Sequence, residues 1–287
     1  MDGTGGAALP TRRAGGGRQL SRARAPRRLP GLVDSHCHLQ DPAFDADRDA
    51  VLERATDAGL ERILVPGFDL PSSRAAVVLA ATNPSLVQAA VGIHPHHAAA
   101  TSAQDWDALE ELASADAVVA VGEIGLDYFR NLSPPEVQRA AFERQLALAS
   151  AVGKPVLVHD RDAHADIRAT LLDWPGPGGT RPPGVLHAFS GDEALAGPLV
   201  ERGYLVSFAL PLAFRSAAGP RRVAAALPAG AFLVETDAPW LAPGGAAERN
   251  EPTTALRVAA ELARLRTTEP ETIAAEARGA YERLLGG

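Results

Sequence analysis

The feature that most limits what this chain can fold into is an eightfold alternation. From residue 31 onward, short apolar or β-branched runs take turns with amphipathic stretches, the pattern of βα units and a parallel sheet. Strands are expected near 32–36, 62–66, 86–93, 117–123, 154–159, 184–188, 203–208 and 231–236. Helices are expected between them, near 44–59, 71–82, 102–114, 134–152, 162–173, 191–202, 218–227 and 252–265. With His36, Pro66, Ile93, Glu123, His159, His187, Phe208 and Asp237 as strand ends, the intervals are 30, 27, 30, 36, 28, 21 and 29 residues. Eight units at that pitch predict a (β/α)8 TIM-type barrel of class α/β, folded as a single domain. A doubly wound open sheet is the alternative, and it gives no reason for so even a count. A further helix near 269–285 carries Ile273, Ala277, Tyr281 and Leu284 at helical spacing and is expected to pack on the barrel's outside.

The first 30 residues differ in kind. They hold seven arginines against Asp2, many glycines and no apolar periodicity, so they read as a disordered, basic, Arg/Gly-rich extension, with the barrel spanning 31–287. Arg12-Arg13 is followed by no apolar segment and is not read as an export signal. The net charge of −7 leaves −13 on the remainder, which is not the surface of a protein that grips nucleic acid by bulk electrostatics. Phosphate chemistry on such a body needs cations to offset its carboxylates. A single cysteine rules out an internal disulfide framework and points to no disulfide-linked partner and a cytoplasmic location. No apolar run approaches a membrane span.

Chemistry gathers at the strand ends. His36 and His38 alternate around Cys37, so along an extended segment both leave the same face. In a barrel the carboxyl ends of all strands meet at one mouth. There the first unit brings His36 and His38, the fourth Glu123, the fifth His159, the sixth His187 and the eighth Asp237. Four imidazoles and two carboxylates converging on one place cannot satisfy each other, because the carboxylates repel; divalent cations resolve this.

At this point the sequence resembles a family. Asp34-Ser35-His36-Cys37-His38-Leu39, Gly92-Ile93-His94-Pro95, Gly122-Glu123-Ile124-Gly125-Leu126-Asp127, His187-Ala188-Phe189-Ser190-Gly191, Glu235-Thr236-Asp237-Ala238-Pro239 and Arg249-Asn250-Glu251-Pro252 look like the motifs of the TatD family of metal-dependent hydrolases, within the amidohydrolase-like superfamily. The resemblance runs in order from about Val33 to about Arg266. It implies a TIM-type barrel, a centre of usually two divalent cations, and deoxyribonuclease activity on DNA phosphodiester bonds. By position it makes His36, His38, Glu123, His159, His187 and Asp237 the ligands, with Glu123 able to bridge. Two departures stand out: the basic extension has no counterpart, and the C-terminal Glu276-Ala277-Arg278-Gly279-Ala280-Tyr281 segment differs from the family's usual Asn-Ala-Arg-rich helix.

The expected chemistry is attack by a metal-activated water on a phosphodiester, with Glu123 and Asp237 catalytic and Asp237 accepting the proton. Glu235, two residues before Asp237, is expected to orient a ligand histidine from behind or else to fill the barrel's interior as a polar residue. His94 is a candidate phosphate donor or a cap for its own loop, and Arg161 a candidate phosphate fork or a solvated side chain. Asp127, Tyr128, Arg130 and Ser190 are further loop candidates; His96, His97 and His164 read as loop or surface histidines, and Trp240 as a border of the pocket. Mixed imidazole and carboxylate donors suit zinc, manganese or iron, while magnesium prefers more oxygen, and the metal's identity stays open between zinc, manganese and magnesium. The alternative function is a hydrolase of the same barrel acting on an amide, lactone or ester. Many such relatives use a carboxylated lysine, and Lys154, the lone lysine, lies before its strand's end. A metal-stabilised scaffold that binds a partner is a third reading.

Overall fold

A computed structural model describes residues 25–245 and 247–286. Eight strands pair in parallel in chain order: β1 (Leu32–Asp34), β2 (Leu60–Pro66), β3 (Val87–Val91), β4 (Val118–Asp127), β5 (Val156–Arg161), β6 (Gly184–Leu186), β7 (Leu205–Phe208) and β8 (Phe232–Val234). They are nearly continuous apolar runs, as strands covered on both faces must be. Helices follow each: α1 (Arg48–Asp57), α2 (Leu70–Thr82), α3 (Ala103–Ala113), α4 (Pro135–Val152), α5 (His164–Asp173), α6 (Glu193–Glu201), α7 (Ala218–Ala226) and α8 (Ala255–Arg266). This is the TIM-type barrel that the alternation predicts.

The ring closes just beyond the last ladder. Ser35 N donates to Val234 O at 2.9 Å and Asp237 N to His36 O at 2.8 Å, joining the ends of β1 and β8. The buried Asp34 carboxylate adds to this seam, accepting from Thr236 N (2.9 Å), Thr236 Oγ1 (2.6 Å) and His36 N (3.3 Å). One side chain therefore fixes the two segments that carry His36 and Asp237.

Helix ends follow local chemistry. α2 begins at Leu70, one residue ahead of the expected 71, because Asp69 Oδ1 caps it by accepting from Ser72 N at 2.8 Å and Ser72 answers in a capping box. α3 begins as the sequence suggests, with the Ser102–Asp105 box. α4 stops at Gly153, whose φ of +65° is the left-handed cap that glycine adopts without steric cost.

The extra helix, α9 (Pro270–Leu285), packs against β1, β8 and α8 on the outside of the barrel. Its buried face is Ile273, Ala277, Ala280, Tyr281 and Leu284, and each large member contributes roughly 1.5–3 kcal/mol on burial. Of the extension expected over 1–30, residues 25–30 are described. Leu29 is fully buried there and its N–H donates to Ala58 O at 2.8 Å. The packed chain thus begins ahead of residue 31, because an apolar leucine in an otherwise polar run finds a place in the core. The rest of the extension lies outside the described residues.

Candidate metal centre

All six strand-end candidates meet at the mouth. His36 and His38 follow β1, Glu123 lies within β4, His159 within β5, His187 follows β6 and Asp237 follows β8. Glu123, His36, His38 and His187 are buried, and the side chains of His159 and Asp237 are 18% and 15% exposed.

Glu123 is the hinge of the arrangement, because its two oxygens face different partners. Oε2 lies 3.3 Å from His36 Nε2 and 3.4 Å from His38 Nε2. Those two nitrogens are 3.1 Å apart, and Asp237 Oδ1 stands 3.9 and 3.6 Å from them. These five separations bracket the edge of about 3.4 Å that a tetrahedron of ligands at about 2.1 Å from zinc would have. Oε1 lies 2.9 Å from both His159 Nδ1 and His187 Nε2, themselves 3.4 Å apart. Two groups of donor atoms thus share one carboxylate, and all six residues, together with His94, recur among the sets of side chains close enough together to hold a metal ion.

The far edge of each ring shows which nitrogen is free to act as a ligand. His38 Nδ1 lies 3.1 Å from Pro66 O, which can only accept, so the proton sits on Nδ1 and Nε2 offers its lone pair. His159 Nε2 faces Asp127 Oδ2 at 3.3 Å, and His187 Nδ1 faces Glu235 Oε1 at 3.5 Å. Glu235 is held in turn by Ser207 Oγ (2.6 Å) and by Ala188 N. Carboxylates behind ligand histidines fix the tautomer and raise ring basicity. His36 Nδ1 is buried without a hydrogen-bond partner among the described residues, and so is His187 Nδ1, whose approach to Glu235 is a 3.5 Å charge contact.

Electrostatics follow from burial and these pairings. Burial and the neighbouring His187 hold His36 down to about 4. Burial opposes ionisation of Glu123, but His187, His94 and His36 outweigh it and keep the carboxyl well below its usual range. Burial likewise opposes charge on His159 and His187; for His159, Asp127 and Glu123 outweigh it, and for His187, Glu123 and Glu235 do, so both rings sit above the ordinary histidine range. Burial pushes Asp237 up to about 6, with Glu123 and Glu235 adding to the effect against His187 and His38. A field that favours a proton on those rings equally favours a cation among them.

His94 takes up the capping role, one of the two that the sequence left open. It caps the 3-10 turn Pro95–Ala100, its Nδ1 accepting from His96 N at 3.1 Å. That leaves the proton on Nε2, which points at Glu123 Oε1 from 3.4 Å as a donor rather than a ligand. Its neighbour Ile93 exchanges both backbone hydrogen bonds with buried Gln145 of α4, at 2.7 and 3.0 Å, which steadies the turn. Arg161, the last residue of β5, stands exposed with its guanidinium 4.9 Å over the ring of Phe129.

Sequence reasoning missed three groups. Asp127 is the buried last residue of β4 rather than a loop residue, because β4 runs four residues past Glu123 and pairs Asp127 with Arg161. Its carboxylate meets His96 Nε2 at 2.7 Å as well as His159, so His96 is tied to the site and is not a surface histidine. Asp34 is the third. The glycines of Gly122-Glu123-Ile124-Gly125 hid the strand's continuation, although 123, 125 and 127 alternate onto one face. Gly125 is obligatory, since at φ +132° a Cβ would meet His159 O at 2.1 Å.

The eight-stranded barrel with imidazoles and carboxylates gathered at the carboxyl ends of its strands defines a metal-dependent hydrolase of the (β/α)8 class. Residues 33–286 match the model of the TatD related DNase family, and the chain belongs to that family. It is 35% identical over 244 residues to the Bacillus subtilis protein named uncharacterized metal-dependent hydrolase YabD, covering 85% of this chain and 94% of that protein. It is 36% identical over 248 residues to the Erwinia billingiae protein named 3'-5' ssDNA/RNA exonuclease TatD, covering 84% and 94%. The crystal structure of YJJV, a TatD homolog from Escherichia coli K12, superposes with a TM-score of 0.79 at 33% identity over 90% of this chain and 98% of that one.

Proposed function

We propose that the protein is a deoxyribonuclease that hydrolyses phosphodiester bonds of DNA with two divalent cations. The single observation that carries this is the splitting of Glu123: one oxygen in a group with His36, His38 and Asp237, the other in a group with His159 and His187. His36, His38 and Asp237 would hold one cation and His159 and His187 another, with Glu123 able to contribute to both, and bound cations would offset the charge on the attacking and leaving oxygens of a phosphodiester. Relatives named as ssDNA/RNA exonucleases support the same substrate class. Bound cations supply Lewis acidity, which brings the pKa of water toward neutrality and offsets the phosphate's charge.

The remaining steps belong to the chain's own residues. Asp237, whose Oδ1 faces both His36 and His38, accepts the proton from attacking water. His94 donates its Nε2–H toward a phosphate oxygen, and burial holds it neutral, well below the usual histidine range. Asp127 and Glu235 keep His159 and His187 oriented so that the nitrogen facing Glu123 stays fixed. Arg161 reaches the strand from the rim. No described helix is long and apolar enough to cross a membrane, and the lone cysteine, Cys37, is buried and free, which fits action inside the cytoplasm.

The second reading, hydrolysis at a carbon centre, is tested alongside. Purified protein is incubated with labelled single-stranded DNA and with a panel of esters and lactones, with and without chelator. Chelator-sensitive cleavage of DNA is expected. Activity confined to carbonyl substrates, or DNA cleavage that survives chelator, overturns the proposal.

A further inference from the structure

Among the described residues four large apolar side chains stand well exposed: Val78 (63%), Phe129 (62%), Leu132 (63%) and Trp240 (47%). Val78 lies on the outer helix α2. The other three lie on mouth loops, Phe129 and Leu132 after β4 and Trp240 after β8. A single exposed apolar residue needs no explanation, whereas several around one site mark a binding surface. In the ring of eight strands β4 and β8 are opposite, so the two loops start on either side of the metal-binding cluster.

Both rings are held out by structure. Asp127 Oδ1 accepts from Phe129 N at 3.0 Å and Arg130 N at 2.7 Å, fixing the turn. Gln138 of α4 clamps it from below, donating to Asp127 O, Asn131 Oδ1 and Ser133 O at 3.1, 3.2 and 2.7 Å. The Arg161 guanidinium covers one face of Phe129, and the ring's exposure leaves the other open. Across the mouth, Trp240 N donates to Asp237 O at 2.9 Å, and the indole stands edge-on to His38 with ring centres 4.7 Å apart. An aromatic ring therefore touches a residue of the metal-binding cluster itself.

We propose that Trp240 and Phe129 are stacking positions for unpaired nucleobases, one on each side of the phosphate under attack. The proposal rests on the nuclease reading and names how that site takes hold of its strand. The chain beyond residue 30 carries a charge of −13, so backbone electrostatics give it little grip on nucleic acid. Stacking supplies the grip instead, and it tolerates any sequence because every base has a π-face. Bases already stacked and paired in a duplex offer no free face to a ring, so these positions select single strands.

The test compares single-stranded oligothymidylate with a tetrahydrofuran (abasic) oligomer of the same length, using metal-loaded protein. Wild type is expected to favour the base-bearing strand in kcat/KM, and Trp240→Ala or Phe129→Ala to shrink that preference roughly ten-fold each, mainly through KM. Trp240→Phe keeps a ring and retains most of the preference; Phe129→Leu keeps apolar bulk without a ring and loses it. This pair separates stacking from a packing defect beside His38. Oligothymidylate also quenches the fluorescence of the exposed Trp240, while Trp106 and Trp174 are buried. Variants that keep the wild-type preference overturn the stacking positions and leave the nuclease reading intact. Wild type that cleaves neither strand yet hydrolyses an ester or lactone overturns the nuclease reading, and the stacking positions fall with it.

Discussion

The carboxylate of Asp127 stands 3.3 Å from Nε2 of His159, on the ring edge opposite the nitrogen that meets Glu123. Asp127 is anchored by the N–H groups of Phe129 and Arg130 and by His96, so it can hold the imidazole in one orientation. Asp127→Ala is expected to weaken binding of the cation held by His159 about 10–100-fold, the usual cost of losing a carboxylate behind a ligand histidine. Calorimetric titration of metal-free protein with zinc or manganese measures this. Affinity equal to wild type would show that His159 orients itself without help.

Glu123 and Asp237 separate binding from chemistry. Glu123→Ala removes an oxygen from each group of ligand atoms and is expected to abolish turnover while the barrel's circular dichroism stays native. Asp237→Ala is expected to lower kcat on the order of 1000-fold, since it removes both a ligand and the proton acceptor. Near-normal rates in either variant would remove that residue from the mechanism.

Cations should also stabilise the fold. A cation at about 1000 times its dissociation constant adds roughly 4 kcal/mol by mass action, which for a chain of this size raises Tm by roughly 8 °C. Differential scanning calorimetry with added metal, then with excess chelator, reads the shift and its reversal. Glu123→Ala should show little of it. A wild-type Tm indifferent to metal would count against the centre.

The seam between β1 and β8 depends on Asp34. Asp34→Ala leaves Thr236 N and Thr236 Oγ1 buried without their acceptor and is expected to cost about 3 kcal/mol. Urea denaturation gives the number. Asp34→Asn, which keeps one acceptor oxygen, should lose less. Equal stability of all three proteins would mean that the backbone bonds at Ser35 and Asp237 close the ring alone.

Much of the site was legible because two periodicities act together. Apolar runs lead into His36, Glu123, His159, His187 and Asp237, and a barrel sends the carboxyl ends of its strands to one mouth, so the convergence of these side chains could be read from the sequence. Asp127 could not, because Gly122 and Gly125 look like a strand's end, and only the pairing of Gly125 with His159 shows that β4 continues. His94 was readable as a loop cap or a donor; its contact with His96 N makes it the cap.

The order of elements, the eightfold pitch and the identity of the candidate metal-binding groups are properties of the chain itself, since burial of apolar runs and their spacing depend on local sequence. Which oxygen of Glu123 meets which histidine, and which carboxylate stands behind each ring, were decided only by the fold. Those contacts join residues from different strands, such as Asp34 with Thr236 and Glu123 with His187, and their separations of a few ångströms are fixed by barrel closure and packing. No local pattern along the chain encodes a distance between segments that meet only when the ring is complete.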